Sequence, residues 1–229
     1  MLEKVILFSG ASAVGKTSVL SALIPKLKHM KMAPAVCKID CINTTDHIVY
    51  EKMEIPNVVG ISNDICPDHF LVSNLPELYE WAEKTESKTL LIETAGLCHR
   101  CSPATERMLS GCVINATSSL KLPEQLGPML TKSDFVVITK IDMVSQAELE
   151  IIIWQIHAIN EKADIFPVDG LCGYGSDLLA DYLCLSAKEK TFEEDQLRHT
   201  MPMGVCSYCV GEKRVGSNYQ QGVVAKIAF

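Results

Sequence analysis

Short runs of consecutive apolar residues recur along the chain and alternate with longer stretches in which apolar residues follow helical spacing. Continuous apolar runs are typical of strands that are buried on both faces, whereas the longer stretches predict helices. The pattern predicts strands at residues 5–9, 35–39, 58–61, 89–93, 113–116, 135–139 and 165–168, and helices at 17–27, 75–84, after Ser145 and at 176–185. We therefore expect an α/β fold, with a mostly parallel sheet and helices on both of its faces.

The character of the sequence changes after residue 186. Residues 188–198 are highly charged and predict a helical linker, and residues 201–229 are rich in glycine, cysteine and basic side chains. We divide the chain into a globular domain, residues 1–186, and a linker with a cysteine-containing appendage, residues 187–229.

The overall charge of the chain narrows the classes of partner. The 229 residues carry a net charge of -7, which disfavours nucleic acid as a partner because phosphate contacts need a basic face. The sequence has no apolar stretch of about 18 residues, the length of a membrane span, and it starts without the pattern of a signal peptide. These features predict a cytoplasmic protein that does not bind membranes.

Cysteine is frequent for a chain of this kind, with 10 residues. Because cytoplasmic thiols stay reduced, closely spaced cysteines indicate metal ligands or redox groups rather than disulfides. Four cysteines in apolar or strand-like surroundings are expected to be small buried residues: Cys37, Cys112, Cys172 and Cys184.

A phosphate-binding loop follows the first predicted strand and opens the first predicted helix. It fits the pattern G-x-x-x-x-G-K-[ST] with Gly10-Ala11-Ser12-Ala13-Val14-Gly15-Lys16-Thr17, and Ser18 follows it. The glycines allow the backbone to curl so that several N–H groups face the phosphates, beside the positive end of the helix. Lys16 is predicted to bind the terminal phosphates and to act in catalysis, and the Thr17 hydroxyl to bind Mg²⁺.

The sequence Thr139-Lys140-Ile141-Asp142, directly after a predicted strand, resembles the N/T-K-x-D sequence of GTPases. There the carboxylate accepts two hydrogen bonds from guanine, which adenine cannot donate. The alternative is a lysine and an aspartate that face solvent at the end of a strand.

Carboxylates stand at or after the ends of two further strands. Asp40 and Glu93 are predicted to organise Mg²⁺, and these two together with Asp46 are candidate catalytic residues. Gly96 follows Glu93 and is predicted to contact the γ-phosphate and to order the loop after it. The alternative for each acid is a solvated position in a loop.

Together these residues resemble the SIMIBI-class GTPases, and more narrowly the CobW/HypB/UreG-like family of nickel-insertion GTPases for hydrogenase and urease, with their cobalamin-related members. The resemblance covers about residues 3–185 and is carried by residues 10–17, Lys38-Ile39-Asp40 with Asp46, Ile65-Cys66-Pro67, Leu91-Ile92-Glu93-Thr94-Ala95-Gly96 and Thr139-Lys140-Ile141-Asp142. It implies a nucleotide-dependent homodimer that delivers a metal to an apo-metalloenzyme. It also implies a metal-binding cysteine at Cys66, whereas His69 departs from the family's Cys-Pro-His by the insertion of Asp68.

Two C-x-x-C pairs are the strongest metal signal, namely Cys98 with Cys101 and Cys206 with Cys209. Such spacing allows two thiolates to face one ion, and four thiolates suit Zn²⁺ or an iron–sulfur cluster. The pairs could meet within one chain or across a dimer. Cys206 and Cys209 could instead bind a structural zinc, and Cys98 and Cys101 could be a redox pair.

These observations predict a GTP-hydrolysing metallochaperone that binds a metal ion such as Ni²⁺ or Zn²⁺, or a cluster, through Cys66, Cys98, Cys101, Cys206 and Cys209. Two alternatives remain open. One is an NTPase that carries an iron–sulfur cluster as a scaffold or electron donor. The other is a nucleotide-gated switch that binds a partner and contains a structural zinc.

Overall fold

The computed structural model describes residues 1–96, 100–186, 194–200, 211–222 and 225–229. Its sheet consists of β1 (Lys4–Ser9), β2 (Pro34–Asp40), β3 (Asn57–Ile61), β4 (Thr89–Glu93), β5 (Leu109–Asn115), β6 (Phe135–Thr139) and β7 (Asp164–Pro167). The strands lie in the order β3-β2-β4-β1-β5-β6-β7, and each neighbouring pair is parallel. The predicted fold class is confirmed, and within the described ranges this sheet is parallel throughout.

The helices are α1 (Lys16–His29), α2 (His47–Lys52), α3 (Pro67–Lys84), α4 (Leu122–Gln125), α5 (Pro128–Thr131), α6 (Gln146–Ile159) and α7 (Ser176–Leu185), with a 3₁₀ turn at Ile141–Met143. α6 starts at the predicted capping box, in which Ser145 and Glu148 each accept a hydrogen bond from the other's backbone N–H. α3 begins well before the predicted residue 75. No helix in the described ranges combines the length and apolar character that a membrane crossing requires.

Successive residues of each central strand contact opposite sides of the sheet. Leu7 packs in a core cluster with α3, whereas Ile6 and Phe8 pack in a second cluster with α1 and α7. A third cluster lies between the β5–β6 region and α6, and it includes Ile114 and Ile138. Burial on both faces explains why the strands read as continuous apolar runs.

The described residues after 194 pack against the α/β core. Leu197, Val215 and Ile227 belong to the cluster that contains α3. The Arg198 guanidinium donates to the carbonyl oxygens of Thr105 at 2.7 Å and Met108 at 2.6 Å, and it lies 2.9 Å from the Asp134 carboxylate. These contacts anchor the segment, and the division of the chain at residue 187 stays a prediction.

Candidate nucleotide site and cysteine cluster

The glycine-rich loop joins the end of β1 to the N-terminus of α1. Gly10 and Gly15 have φ angles of 146° and 97°, values that favour glycine and allow the loop to curl over the helix N-terminus. The Lys16 ammonium donates to the carbonyl oxygens of Gly10 at 2.9 Å and Ala11 at 2.8 Å. Burial lowers the pKa of Lys16 to about 8. The loop therefore places a cation beside a helix N-terminus, an arrangement suited to a phosphate.

A cavity of about 490 Å³ adjoins this loop. Many of the sequence-predicted residues line it: Ser12, Ala13, Gly15, Lys16, Thr17, Ser18 and Lys140, together with the acids Asp40, Asp46 and Glu93. The other predicted nucleotide-binding residues, Gly10, Ala11, Val14, Gly96, Thr139 and Asp142, are not part of this lining. The sequence motifs thus converge on one cavity at the carboxyl ends of the strands, where ligands bind in sheets of this kind.

Gly96 touches the phosphate loop directly. It has a φ of 68°, and a Cβ atom built on it would lie 1.6 Å from the carbonyl oxygen of Gly10. Only glycine fits this close approach of two backbones. The segment that follows β4 is therefore held against the loop that faces the cavity.

The Thr139–Asp142 motif lies at the end of β6. The Thr139 hydroxyl donates to the carbonyl oxygen of Val14 at 2.5 Å, which ties the motif to the phosphate loop. Lys140 has a φ of 56°, and its ammonium lies 3.4 Å from the carbonyl oxygen of Ala13. Asp142 is exposed in the 3₁₀ turn. Its carboxylate is thus accessible to a ligand.

Several polar side chains meet at the carboxyl ends of β2 and β4. The Thr17 hydroxyl lies 2.9 Å from Glu93 Oε1 and 3.1 Å from Asp46 Oδ2. Lys38 Nζ lies 2.6 Å from the same Glu93 oxygen and 2.9 Å from the same Asp46 oxygen. The Tyr50 hydroxyl donates to Glu93 Oε2 at 2.7 Å. Two carboxylate oxygens are therefore shared between a hydroxyl and an ammonium group.

The charges of this cluster stabilise one another. Burial alone would lower the pKa of Lys38, but the carboxylates of Glu93 and Asp46 outweigh it and raise that pKa. Burial would likewise raise the pKa of Asp46, and hydrogen bonding from Lys38 reverses the effect and lowers it. Burial, with the Glu93 charge, raises the pKa of Tyr50, which keeps its proton. Lys38 is thus a fixed cation between two anions.

The oxygen atoms of Thr17, Asp46 and Glu93 are donors of the kind that Mg²⁺ prefers, so these residues fit the predicted ion. Asp40, the third acid, also lines the cavity, and its Oδ1 accepts a hydrogen bond from the amide of Cys41 at 2.7 Å. Asp46 rather than Asp40 shares the Thr17 hydroxyl with Glu93.

The sequence pattern predicted no role at the site for Lys38 or Tyr50. Lys38 did carry a signal, because it is a charged residue in an otherwise largely apolar strand. In the β2–β4 pair it lies directly beside Glu93. The sequence does not show that these two strands are neighbours. Tyr50 lies in α2, a short helix that was not predicted.

A second cluster lies at the N-terminus of α3. Ligand atoms of Cys66, Asp68 and Cys101 all lie within 4.8 Å of one another. Cys66 is the N-cap residue of α3, and the Cys101 thiol donates to Asp68 Oδ2 at 3.4 Å. Asp68 and Cys101 are buried, whereas Cys66 is half-buried. Two sulfur atoms and one carboxylate thus face a common point.

Ionisation in this cluster is displaced from ordinary values. Cys101 has a single S–H, which can donate either to Asp68 or to the Cys66 sulfur. Donation to Cys66, with backbone N–H groups at the helix start, lowers the pKa of Cys66 to about 6. Burial, together with the neighbouring Cys66 charge, raises the pKa of Asp68 to about 7. Cys66 therefore carries thiolate character at neutral pH, which metal binding requires.

The other described cysteines and the histidine singled out from the sequence lie outside this cluster. Cys37 and Cys112 are buried, as expected, whereas Cys172 and Cys184 are exposed, so the expectation that these two are core residues was wrong. Cys172 lies in the loop after β7 and Cys184 lies near the end of α7, and both positions are at the surface. His69 is buried and is not a member of the Cys66 cluster. Cys98, Cys206 and Cys209 lie outside the described residues.

The parallel sheet and the glycine-rich loop over α1 define the chain as a P-loop NTPase. The sequence model described as "CobW/HypB/UreG, nucleotide-binding domain" matches residues 4–167, and the chain belongs to this family. The fold fits the SIMIBI class of P-loop proteins.

Two relatives match this chain in sequence over most of its length. An uncharacterized protein of Methanocaldococcus jannaschii is 45% identical over 224 residues, which are 98% of this chain and 96% of that protein. The urease accessory protein UreG 2 of Streptomyces griseus is 32% identical over 189 residues, 76% of this chain and 83% of that protein.

Solved structures share the fold. The hydrogenase maturation factor HypB of Archaeoglobus fulgidus superposes with a TM-score of 0.64 at 19% identity, over 80% of this chain and 89% of that one. HypB of Helicobacter pylori in complex with nickel superposes with a TM-score of 0.63 at 16% identity, over 82% of this chain and 91% of that one.

Proposed function

We propose that this protein is a GTP-hydrolysing metallochaperone that holds a metal ion at Cys66, Asp68 and Cys101 and delivers it during maturation of a metalloenzyme. The observation that carries the proposal is the clustering of these three side chains in the same chain as the phosphate-binding cavity. Two sulfur donors and one oxygen donor suit an ion of intermediate softness, such as Ni²⁺ or Zn²⁺.

The position of the cluster supports a link to the nucleotide. Gly96 rests on Gly10 of the phosphate loop, and Cys101 follows Gly96 on the same segment. A γ-phosphate that displaces Gly96 would move Cys101 relative to Cys66, which is fixed at the start of α3. Metal affinity and nucleotide state would then be coupled in both directions. Hydrolysis would release the metal ion to an apo-metalloenzyme.

The relatives favour nickel as the cargo. One is named as a urease accessory protein, and one HypB structure contains nickel. Guanine is the proposed base because Asp142 is exposed and follows Lys140, which lines the cavity, by two residues. Mg²⁺, held by Thr17 with Glu93 and Asp46 or Asp40, would neutralise phosphate charge. A nucleotide-dependent homodimer and a cytoplasmic location belong to the same proposal.

The test is a titration of anaerobically purified protein with Ni²⁺ and with Zn²⁺, in the presence of GDP and of a non-hydrolysable GTP analogue. We expect one site per chain whose affinity differs at least about tenfold between the two nucleotides, a typical coupling. Cys66→Ser with Cys101→Ser should abolish this site. The matched control is Cys172→Ser with Cys184→Ser, which removes two exposed cysteines outside the cluster. Equal affinity with both nucleotides would contradict the proposal.

Two further outcomes correspond to the alternatives. Iron with sulfide and a broad visible absorption band, lost in Cys206→Ser with Cys209→Ser, would indicate an iron–sulfur carrier. One tightly held zinc ion that is indifferent to nucleotide and to loss of Cys66 would indicate a switch with a structural zinc.

A further inference from the structure

The ammonium group of Lys38 lies within the predicted magnesium site. Its nitrogen lies 2.6 Å from Glu93 Oε1 and 2.9 Å from Asp46 Oδ2, and the Thr17 hydroxyl contacts the same two oxygens. The Lys38 side chain is only 7% exposed, so solvent screens its charge weakly. The Lys38 ammonium therefore contacts the same carboxylate oxygens as Thr17, the proposed Mg²⁺ ligand of the phosphate loop.

We propose that Lys38 is an internal counter-cation that takes the place of Mg²⁺ in the nucleotide-free protein. The hydroxyl of a P-loop threonine binds Mg²⁺, and carboxylate oxygens are the protein ligands that this ion prefers. An ion held by Thr17 together with Glu93 or Asp46 must share those oxygens with the Lys38 ammonium. Because both are positively charged, binding of one weakens binding of the other.

The cavity offers the displaced ammonium a new partner. Lys38 lines the same cavity as Lys16 and the phosphate loop. A nucleoside triphosphate brings anionic oxygens that can replace the carboxylates as partners of Lys38. Mg²⁺ binding would thus depend on nucleotide. In the nucleotide-free protein the Lys38 ammonium competes with Mg²⁺ for the carboxylate oxygens, and a bound triphosphate removes this competition. This role rests on the proposed function only in that a triphosphate and Mg²⁺ bind here.

A purely structural ion pair makes a different prediction. If Lys38 only neutralised two buried acids, its removal would destabilise the fold and leave Glu93 and Asp46 poorly arranged for any ion. Competition instead predicts that removal of the positive charge strengthens Mg²⁺ binding in the absence of nucleotide. The sign of the change in Mg²⁺ affinity therefore separates the two roles.

The experiment is calorimetric titration of Mg²⁺ into the full-length, nucleotide-free protein, with thermal unfolding in parallel. We expect Lys38→Met to bind Mg²⁺ at least about tenfold more tightly than the wild type, because one unit charge is removed beside the ion. Its unfolding temperature should be lowered in EDTA and restored by Mg²⁺, whereas the wild type should respond weakly. Lys38→Arg keeps the charge and should resemble the wild type. Lys84→Met, which breaks an exposed pair with Glu80, is the control for loss of a lysine. Unchanged or weaker Mg²⁺ binding by Lys38→Met would overturn the proposal.

A measurement on the wild type covers the case in which Lys38→Met does not fold without Mg²⁺. Lysine ammonium groups in buried ion pairs give distinct nitrogen NMR signals, and Lys38→Arg identifies the one that belongs to Lys38. That signal should shift when Mg²⁺ is added with a non-hydrolysable GTP analogue. A signal that stays in place would contradict displacement.

Binding of a fluorescent GTP analogue, measured in the same samples with EDTA and with Mg²⁺, separates this inference from the proposed function. Absence of nucleotide binding would refute both. Normal nucleotide binding with Mg²⁺ affinity independent of Lys38 would refute the counter-cation alone.

Discussion

At the scale of single residues, the candidate nucleotide site contains two buried lysines in different electrostatic situations. Lys38 is matched by Glu93 and Asp46, and these anions raise its pKa. Lys16 contacts the carbonyl oxygens of its own loop, and burial lowers its pKa to about 8. A buried ammonium gains most from an anion brought into contact with it. Lys16 is therefore the residue that a phosphate would stabilise most directly.

Asp142 provides the first residue-scale prediction, which concerns the choice of base. In Asp142→Asn the carboxylate no longer accepts hydrogen bonds from the N1–H and 2-amino group of guanine, so GTP affinity should fall at least about tenfold. Xanthosine triphosphate should bind this variant better than GTP, because xanthine carries an oxygen where guanine carries the amino group. Competition binding with the two nucleotides measures the change.

Asp181→Asn alters an exposed carboxylate on α7 and is the matched control. If Asp142→Asn bound GTP as well as the control does, the proposed guanine contact would be wrong.

At the scale of elements, helix α6 shows how a short local motif defines the start of a helix. The Ser145 hydroxyl accepts a hydrogen bond from the Glu148 amide at 3.3 Å, and the Glu148 carboxylate accepts one from the Ser145 amide at 2.8 Å. Ser145→Ala should lower the free energy of unfolding by about 1 kcal/mol, the usual value of such a cap. Urea denaturation monitored by circular dichroism measures this loss.

Glu161→Ala, an exposed position just beyond the end of α6, should change stability by less than about 0.5 kcal/mol. Equal losses in the two variants would mean that the capping box contributes nothing specific.

The central strands could be predicted from the sequence because burial on both faces produces short, continuous apolar runs. The start of α3 could not, since residues 67–75 are all buried although they include the polar residues Asp68, His69, Ser73 and Asn74. This part of the helix therefore does not separate an apolar buried face from a polar exposed face, which is the pattern that marks an amphipathic helix. Helix α2 has only 6 residues, too few for a periodic signal. Motifs placed Lys16, Thr17 and Glu93 in one site because each motif is local.

Contacts between residues that are far apart along the chain could not be predicted from the sequence. Lys38 meets Glu93 through the pairing of β2 with β4, and Cys66 meets Cys101 across the N-terminus of α3. Neither meeting follows from spacing along the chain, because both depend on which strands and helices are neighbours. The sequence paired Cys101 with Cys98 by proximity alone, and the fold brings Cys66 and Asp68 to it.

At the scale of the whole molecule, the buried carboxyl of Asp68 makes stability depend on pH. The folded protein keeps the Asp68 proton up to a pKa of about 7, whereas the unfolded chain releases it near the usual pKa of 3.8. The folded state therefore binds more protons between these values, and the free energy of unfolding should fall as pH rises from about 4 to about 7. The lowered pKa of Cys66, about 6, acts in the opposite direction only above that pH.

Asp68→Asn should remove this decline, and between about pH 4 and 6 the titration of Cys66 itself contributes little to the slope. Urea unfolding of the metal-free protein at several pH values measures it, with Asp181→Asn as the exposed control. A decline of the same slope in Asp68→Asn would assign the pH dependence to other groups.

The packing of Leu197, Val215 and Ile227 into the core cluster that contains α3 has a consequence during synthesis. While a ribosome has produced only the residues of the sheet and its helices, this cluster lacks three of its apolar side chains and part of it remains exposed to the cell. The nascent chain then presents an apolar surface that chaperones bind and that promotes aggregation. The cluster is complete only after the segments with Leu197, Val215 and Ile227 have left the ribosome, more than 100 residues after α3.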